Sequence, residues 1–232
     1  MNVVHKGWNW ENIDSESWLD VSEEFLPVAL KWREQFHSIL DIGAGKGRHS
    51  IFFAENGFDV SAIDISESSV EIIAKEARNR NLKIDVNIAD MTDLPFADGK
   101  FDCVVCFHTI YHTDYSGLKK AINEIYRVLS AKGEAYITFN SKENRSFKEE
   151  DTIDGNTIIK SSEMEEGIPH CYVDEKEIED LLSSFQIVSM SKITEYVRKE
   201  KRVCRVHYYT HIKKRDCKKS CVYEPKIFLG MN

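Results

Sequence analysis

The sequence predicts an α/β fold with a doubly wound, mostly parallel sheet of seven strands and a C-terminal antiparallel hairpin. Short apolar segments alternate along the chain with segments of helical periodicity, as in a parallel sheet covered by helices. Residues 101–107 are apolar nearly throughout, which is typical of a strand buried on both faces. A glycine-rich turn links the first predicted strand to a helix. With 232 residues, the chain is long enough to bury one sizeable core.

The first predicted strand, 38–42, leads into a turn that suits a nucleotide-type ligand. Glycines in such a turn allow positive φ and a close approach of the backbone to a ligand. A second apolar strand, 58–63, ends on Asp64, about 20 residues beyond the turn, where a carboxylate binds ribose hydroxyls in dinucleotide folds. The glycines of the turn are Gly43, Gly45 and Gly47.

The spacing of these glycines separates two kinds of cofactor. A dinucleotide fingerprint reads G-x-G-x-x-G and places a pyrophosphate at the helix N-terminus. Here the pattern is G-x-G-x-G, and Asp41 stands directly before it. An acid beside the turn would repel a pyrophosphate, whereas the ammonium of an amino acid moiety would be attracted to it. The spacing therefore disfavours a pyridine-nucleotide oxidoreductase.

The segment DIGAGKG at 41–47, Asp64 and the segment IADMTDLPFADGKFDCVVCFHTIYH at 88–112 resemble the motifs of the class I S-adenosylmethionine-dependent methyltransferases, which have a Rossmann-like fold. The resemblance is to the small-molecule subgroup that includes tellurite-resistance-type and quinone-biosynthesis-type enzymes, and it covers residues 38–140. It implies S-adenosyl-L-methionine as cofactor, with Asp64 on the ribose, Asp90 on the adenine amino group and Met91 on the ring. The implied cofactor-binding set is Asp41, Gly43, Ala44, Gly45, Gly47, Arg48, Asp64, Ile65, Asp90, Met91, Phe107 and His108.

On this resemblance we expect residues 1–232 to form a single methyltransferase domain. Its parts would be an N-terminal helical lid (1–36), a cofactor-binding core (37–140), an acceptor-side connection (141–173), a last helix with the terminal hairpin (174–212) and a basic tail (213–232).

The segment before the first strand holds the four tryptophans of the chain and a predicted helix over 22–35. Aromatic rings there could close over a sulfonium by cation–π attraction of about 0.5 to 2 kcal/mol. They could equally pack the helix on the sheet. The tryptophans are Trp8, Trp10, Trp18 and Trp32.

The remaining elements follow from periodicity and capping signals. Apolar residues at helical spacing predict helices over 66–81 and 118–129, and strands are predicted over 83–89, 101–107 and 134–140. Residues 141–173 show no strong pattern, and their end, with Gly167, Pro169, His170 and Tyr172, predicts a turn before a helix. Asp174 would cap that helix, with Glu177 three residues later. Two further strands are predicted, 185–197 and 203–212, and together they would form the terminal hairpin.

The resemblance implies chemistry that is mainly positional. A sulfonium is already an activated methyl donor, so holding donor carbon and nucleophile in line can supply about 7 to 11 kcal/mol. If the acceptor must lose a proton, a base contributes about 10² to 10⁴ in rate, and histidine suits that role. The candidates are His108, which directly follows the fourth strand, and then His112 and His170.

Charge and composition restrict the partners. A net charge of −8 and a pI near 5.5 argue against a surface built broadly for nucleic acid, although residues 198–219 are strongly basic. No stretch is long and apolar enough for a membrane span, and no signal peptide is visible, so we expect a cytoplasmic protein with a small-molecule acceptor. Cys103 and Cys106 should point to opposite faces of one strand, so they should not share a metal ion. We expect no metal site in the chain, and Cys217 and Cys221 give only weak support for one.

Other functions stay open from the sequence. One is an RNA or protein methyltransferase that uses the basic C-terminal end, although FHTIYH after the fourth strand lacks the Asn/Asp-Pro-Pro-Tyr/Phe motif of many such relatives. Another is a protein that binds S-adenosylmethionine without catalysis. The acceptor and the oligomeric state are not determined by the sequence.

Overall fold

The computed structural model describes residues 5–8, 20–161, 165–197 and 202–215. Trp10, Trp18, Cys217, Cys221 and nearly all of the basic tail lie outside these residues. The helices are α1 Leu26–Gln35, α2 Arg48–Glu55, α3 Glu67–Asn79, α4 Tyr115–Val128 and α5 Glu175–Leu181, with a 3-10 turn at Glu149–Asp151. The strands are β1 Ser38–Ile42, β2 Asp59–Asp64, β3 Ile84–Ile88, β4 Phe101–Cys106, β5 Leu129–Ser141, β6 Thr157–Ile159, β7 Pro169–Val173, β8 Phe185–Val197 and β9 Arg202–Lys214.

The nine strands form one sheet, two strands more than predicted. Its main order is β3-β2-β1-β4-β5-β9-β8, and β7, with β6 beside it, pairs with the carboxyl end of β5. The first five run parallel, β9 is antiparallel to β5, and β8 pairs with β9. The predicted fold class, a mostly parallel sheet with a terminal antiparallel hairpin, is confirmed. The strand order reverses at β1, and open α/β sheets bind ligands at such a point, beyond the carboxyl ends of the strands.

Apolar side chains pack against both faces of the central strands, which is why these strands have few polar positions. Leu40, Val104 and Ile137 belong to the core on one face, and Ile39 and Val105 to the core on the other. The two cysteines of β4 follow the same alternation, with Cys106 in the first core and Cys103 in the second, so their predicted placement on opposite faces is confirmed.

Local signals explain how three helices begin. Asp114 accepts a hydrogen bond from the Gly117 amide (2.6 Å) and caps α4. A capping box of Asp174 and Glu177 opens α5, as predicted. The predicted first helix starts too early: α1 begins at Leu26, because a proline in its first turn favours the N-terminus there. Trp32, on α1, is fully buried, which confirms the packing interpretation for this residue.

The sequence-based interpretation of residues 141–173 is wrong in one respect, since the segment contains β6 and β7. β7 is buried along its whole length, so it shows no alternation of polar and apolar residues. Its backbone is paired by distant segments: the Cys171 amide donates to the Tyr111 carbonyl (2.8 Å) and the Tyr172 amide to the Asn156 carbonyl (2.8 Å). β7 pairs in parallel with the last two residues of β5, and this places His170 and Tyr172 beside the end of the sheet.

Two further boundaries differ from prediction. α4 passes directly into β5 at Leu129, where the sequence predicted a break at residues 132–133. β9 continues to Lys214, so Lys213, predicted as the start of the tail, pairs with Gln186 inside the hairpin.

Candidate functional site

A cavity of about 720 Å³ lies beyond the carboxyl ends of the parallel strands. Ligand pockets span about 300 to 1,000 Å³, so this cavity can hold a cofactor-sized molecule. We distinguish two regions of its wall. The glycine half is lined by Gly43, Ala44, Gly45, Asp64, Ile65, Asp90 and Met91, and the histidine half by Tyr111, His112, His170, Tyr172, His207 and Tyr209.

The glycine turn passes so close to its neighbour that Gly43 has no space for a side chain. Its φ is +65°, and a Cβ there would lie 2.1 Å from Cγ2 of Thr109. Thr109 in turn donates a hydrogen bond from Oγ1 to the Gly43 carbonyl (3.2 Å). Gly45 also has a positive φ, +57°. The turn therefore presents bare backbone to the cavity, as a close-fitting ligand requires.

Asp64 is 7 % exposed at the end of β2 and lines the glycine half. One carboxylate oxygen accepts a hydrogen bond from the Gly45 amide (2.9 Å) and the other from the Ser66 amide (2.9 Å). Burial raises the pKa of Asp64, and these hydrogen bonds oppose the rise. Each oxygen has two lone pairs, so the carboxylate can also accept hydroxyl groups of a ligand.

Asp90 follows β3 and is held by two segments. Its Oδ1 accepts from the amide (2.8 Å) and hydroxyl (2.7 Å) of Thr92, and its Oδ2 contacts Nδ1 of His5. Burial would raise the pKa of Asp90, but the hydrogen bonds from His5 and Thr92 outweigh it and lower the pKa to about 2. His5 was not predicted as a site residue, because no local pattern links it to a carboxylate 85 positions away.

Two members of the predicted set, Asp41 and Gly47, do not line the cavity. Asp41 is 2 % exposed and accepts hydrogen bonds from the amide (3.1 Å) and hydroxyl (2.6 Å) of Ser50, in the first turn of α2. Gly47, at φ +82°, packs against Ile73 of α3. Both residues support the turn on the side away from the cavity. A sequence motif alone does not distinguish such a supporting residue from one that contacts a ligand.

The buried Asp41 should make stability depend on pH. Burial raises the pKa of Asp41 to about 6, against the opposing hydrogen bonds from Ser50. Between pH 4 and 6 the folded chain then holds a proton that the unfolded chain has lost, so the free energy of unfolding falls as pH rises, and the loss persists above pH 6. Asp41→Asn should therefore be more stable than the wild type by about 1–2 kcal/mol at pH 7.5 and by little at pH 4.5, as measured by urea unfolding. A difference that does not change with pH would contradict this cause.

His108 stands at the junction of the two halves, with φ +54°. Its ring nitrogens lie 3.3 Å from the hydroxyl of Tyr111 and 3.3 Å from that of Tyr209. Its ring centre is 4.6 Å from that of His207. Burial, reinforced by His207 and nearby arginines, lowers the pKa of His108 well below its ordinary value, so the ring is neutral at pH 7.

His112 and His170 face one another in the histidine half, with ring centres 4.7 Å apart. Burial lowers the pKa of His112 to about 3. Burial also lowers the pKa of His170, but Glu165 opposes the shift, since its Oε1 lies 3.4 Å from Nε2 of His170. The structure thus brings the three predicted histidines to one cavity, each predominantly neutral at pH 7.

A polar cluster borders the histidine half. The hydroxyl of Tyr172 accepts a hydrogen bond from the Lys160 ammonium (2.8 Å) and lies 2.8 Å from the hydroxyl of Ser146. Lys160, Ser146 and Tyr172 come from three separate segments, and all line the cavity. Within the described residues, no three His, Cys, Asp or Glu side chains are arranged to hold a metal ion. Among those residues, no helix is long and apolar enough to cross a membrane.

Comparison with known proteins identifies a methyltransferase domain in this chain. Residues 39–133 match a family model described as a methyltransferase domain. A ubiquinone biosynthesis O-methyltransferase of Rickettsia akari is 25 % identical over 196 residues, which cover 75 % of this chain and 77 % of that protein. Residues 39–133 therefore form a methyltransferase domain, and the chain has the fold of the class I S-adenosylmethionine-dependent methyltransferases.

Solved structures of other proteins have the same fold as this chain. A SAM-dependent methyltransferase of Methanosarcina mazei superimposes with a TM-score of 0.71 at 21 % identity, covering 85 % of this chain and 99 % of that one. The 1,6-didemethyltoxoflavin-N1-methyltransferase of Burkholderia thailandensis, solved with bound 1,6-didemethyltoxoflavin and S-adenosylhomocysteine, superimposes with a TM-score of 0.62 at 18 % identity, covering 88 % of this chain and 80 % of that one.

The family cofactor, S-adenosylmethionine, fits the residues of the glycine half. Gly43 and Gly45 contribute backbone to the cavity wall, and Asp64 keeps lone pairs for hydroxyl groups. The chain spans 38 % and 51 % of the length of two other curated relatives that it matches. Its own activity and acceptor are therefore matters of proposal.

Sequence reasoning missed those cavity residues of the methyltransferase that come from distant segments. Lys160, Glu165 and Arg205 carry no motif. His207 and Tyr209 alternate along β9, and this two-residue period of polar aromatic side chains in a predicted strand is the signal that could have identified them.

Proposed function

We propose that this protein transfers the methyl group of S-adenosylmethionine to a small-molecule acceptor bound in the histidine half. The observation that supports this most strongly is the continuity of the cavity: one space runs from the glycine turn, past His108, to His170 and Tyr172. A donor held in the first region can direct its methyl group at an acceptor in the second.

The glycine half supplies the cofactor contacts in this proposal. Asp64 accepts the two ribose hydroxyls, Asp90 accepts from the adenine amino group, and Met91 packs beside the ring. The backbone of Gly43 and Gly45 lies against the methionine part. These roles combine the implied family roles with the position of each residue at the cavity wall.

The reaction is an in-line displacement: the acceptor's lone pair forms the bond to the methyl carbon as the carbon–sulfur bond breaks, and S-adenosylhomocysteine leaves. Positioning accounts for most of the rate. For an acceptor that loses a proton, we favour His170 over His108 and His112 as base. A base must become charged, and Glu165, 3.4 Å away, stabilises the charged ring, whereas burial and cationic neighbours oppose charge on His108.

A small acceptor agrees with the relatives that have named substrates. The Burkholderia structure holds 1,6-didemethyltoxoflavin, and the Rickettsia relative is a ubiquinone biosynthesis O-methyltransferase. The size of the cavity also agrees, because about 720 Å³ suits a cofactor together with one small molecule.

Two measurements test the proposal. Calorimetric titration with S-adenosylmethionine, S-adenosylhomocysteine and NADH should give micromolar affinity for the adenosyl ligands alone. Incubation of a bacterial extract with methyl-labelled S-adenosylmethionine should then place enzyme-dependent label in the small-molecule filtrate. Label in RNA or protein instead would show that the acceptor is a macromolecule and not a small molecule. Binding of the adenosyl ligands without any transfer would indicate a cofactor-binding protein. Tight binding of NADH alone would refute the proposal.

A further inference from the structure

Lys160 brings a positive charge to the histidine half of the cavity. Its side chain is half-buried and lines the cavity. The ammonium donates a hydrogen bond to the hydroxyl of Tyr172 (2.8 Å) and forms no ion pair with a carboxylate of the described residues. An ammonium has three donors, and the tyrosine hydroxyl uses one of them. The remaining donors suit a ligand atom that accepts hydrogen bonds.

The acids near this end of the cavity already face other groups. Arg205, the second cation beside the histidine half, lies 4.0 Å from the carboxylate of Glu195. Glu165 directs its Oε1 to His170, at 3.4 Å. The contact with His170 and the nearby charge of Lys160 lower the pKa of Glu165 against the effect of burial, so Glu165 is a carboxylate at pH 7. The charge of Lys160 therefore suits an anionic group of the ligand.

Successive ring contacts lead from the cofactor side of the cavity to Lys160. The ring centres of His108 and Tyr111 are 6.3 Å apart, and those of Tyr111 and His170 are 5.8 Å apart. His170 is followed by Tyr172, with ring centres 6.5 Å apart, and the Lys160 ammonium lies 5.5 Å from the centre of the Tyr172 ring. A small molecule bound along these rings has one end near His108 and the other end near Lys160.

The groups around Lys160 suit an anion with a single charge. The cluster adds two neutral hydroxyls to the ammonium, those of Ser146 and Tyr172, which lie 2.8 Å apart. The negative charge of Glu165 would repel a second charge on the ligand. Ser146 is exposed, so an anionic group beside it keeps part of its hydration and the cost of desolvation stays small. A carboxylate fits these conditions better than a phosphate ester, whose charge is close to −2.

We propose that the methyl acceptor is a small carboxylic acid, whose carboxylate binds the Lys160 ammonium while its nucleophile faces the cofactor. The proposal rests on the proposed function, because it names the acceptor of that methyl transfer. The carboxylate is held at the end of the cavity away from His108, so it is not the group that receives the methyl. The methylated product therefore keeps its negative charge.

The charge of the product tests the acceptor class. The protein is incubated with methyl-labelled S-adenosylmethionine and the small-molecule filtrate of a bacterial extract. Enzyme-dependent label should bind to an anion-exchange resin at pH 7, whereas unreacted S-adenosylmethionine is a cation and passes through. Alkaline phosphatase should not release the bound label. Enzyme-dependent product that passes through the resin, or label that the phosphatase releases, overturns the proposal.

Variants test the role of Lys160 in binding this acceptor. Lys160→Met should lower the initial rate with dilute filtrate about ten- to a hundredfold, the effect of a hydrogen bond to a charged group, and the loss should shrink as the filtrate is concentrated. Lys160→Arg keeps the charge and should retain most of the rate. Lys148→Met removes an exposed lysine that does not line the cavity and should match the wild type. A wild-type rate in Lys160→Met overturns the role of Lys160.

Cofactor binding separates a failure of this proposal from a failure of the proposed function. Each variant should bind S-adenosylhomocysteine within twofold of the wild type, because Lys160 lies outside the glycine half. Lys160→Gln takes the place of the methionine variant if that variant does not fold. An equal loss of S-adenosylhomocysteine binding and of rate would mean that Lys160 only maintains the fold, and it overturns the proposal. A wild-type protein that binds S-adenosylhomocysteine but labels no small molecule refutes the proposed function itself.

Discussion

Replacing Asp64 with alanine is expected to weaken S-adenosylhomocysteine binding about a hundredfold. Asp64 is the buried carboxylate of the glycine half, and two ribose hydroxyls would each donate to it. A charge-assisted hydrogen bond contributes about 1.5–3 kcal/mol, so the loss of two such bonds, partly offset by water, corresponds to about two orders of magnitude. Calorimetric titration of the purified variant measures the effect.

Asp64 also orders the turn, because its oxygens accept from the amides of Gly45 and Ser66. Asp64→Asn keeps one acceptor oxygen and should lose less affinity than the alanine variant. Asp59, at the opposite end of the same strand, is exposed and gives the matched control: Asp59→Ala should leave the affinity within twofold. If Asp64→Ala binds as the wild type does, the ribose is held elsewhere.

The core strands could be predicted from the sequence because their burial on both faces leaves a continuous apolar run. β1, β2 and β4 are of this kind. The glycines that indicate a cofactor follow β1, and the acid that indicates it, Asp64, ends β2. β6 and β7 could not be predicted in the same way. β6 has three residues, and β7 obtains its hydrogen bonds from distant segments, so neither has a strong local signature.

The candidate site shows the same division between local and long-range information. Asp64 and Asp90 follow their strands directly, and the motif places them correctly at the cavity wall. Asp41 belongs to the same motif, but its side chain accepts hydrogen bonds from Ser50 and does not line the cavity. His5 reaches the cavity only through the tertiary fold, and no spacing in the sequence reports that. For His207 and Tyr209 the only local signal is their two-residue spacing on β9.

The environment of each histidine also changes its predicted rank as a base. From the sequence, His108 is first because it directly follows the fourth strand. In the structure His108 lies between two tyrosine hydroxyls, and its burial disfavours the protonated ring. His170, in contrast, has a carboxylate neighbour that favours the protonated ring. Position along the chain predicts which side chains reach the cavity. Their acid–base behaviour depends on burial and on partners that only the fold determines.

A buried polar cluster on β5 should be the most important single polar contribution to stability among the side chains described. Glu134 is 5 % exposed, and its Oε2 accepts hydrogen bonds from Trp32 Nε1 (2.9 Å) and contacts His211 Nε2 (2.7 Å). Burial would raise the pKa of Glu134, but these two contacts outweigh it and lower the pKa. The cluster joins α1, β5 and β9, the elements that cover this edge of the sheet.

Glu134→Ala is expected to lower the free energy of unfolding by about 3–4 kcal/mol, because it removes the buried carboxylate and leaves the Trp32 and His211 donors unpaired. For a chain of this size the melting temperature should fall by about 6–16 °C. The matched control is Lys213→Ala: its ammonium is 3.9 Å from Glu134 but 41 % exposed, and such pairs contribute under about 1 kcal/mol. Glu134 does not line the cavity, so the folded Glu134→Ala variant should bind S-adenosylhomocysteine as the wild type does. Equal destabilisation by the two substitutions, measured by urea unfolding, would show that the buried hydrogen bonds are not the cause.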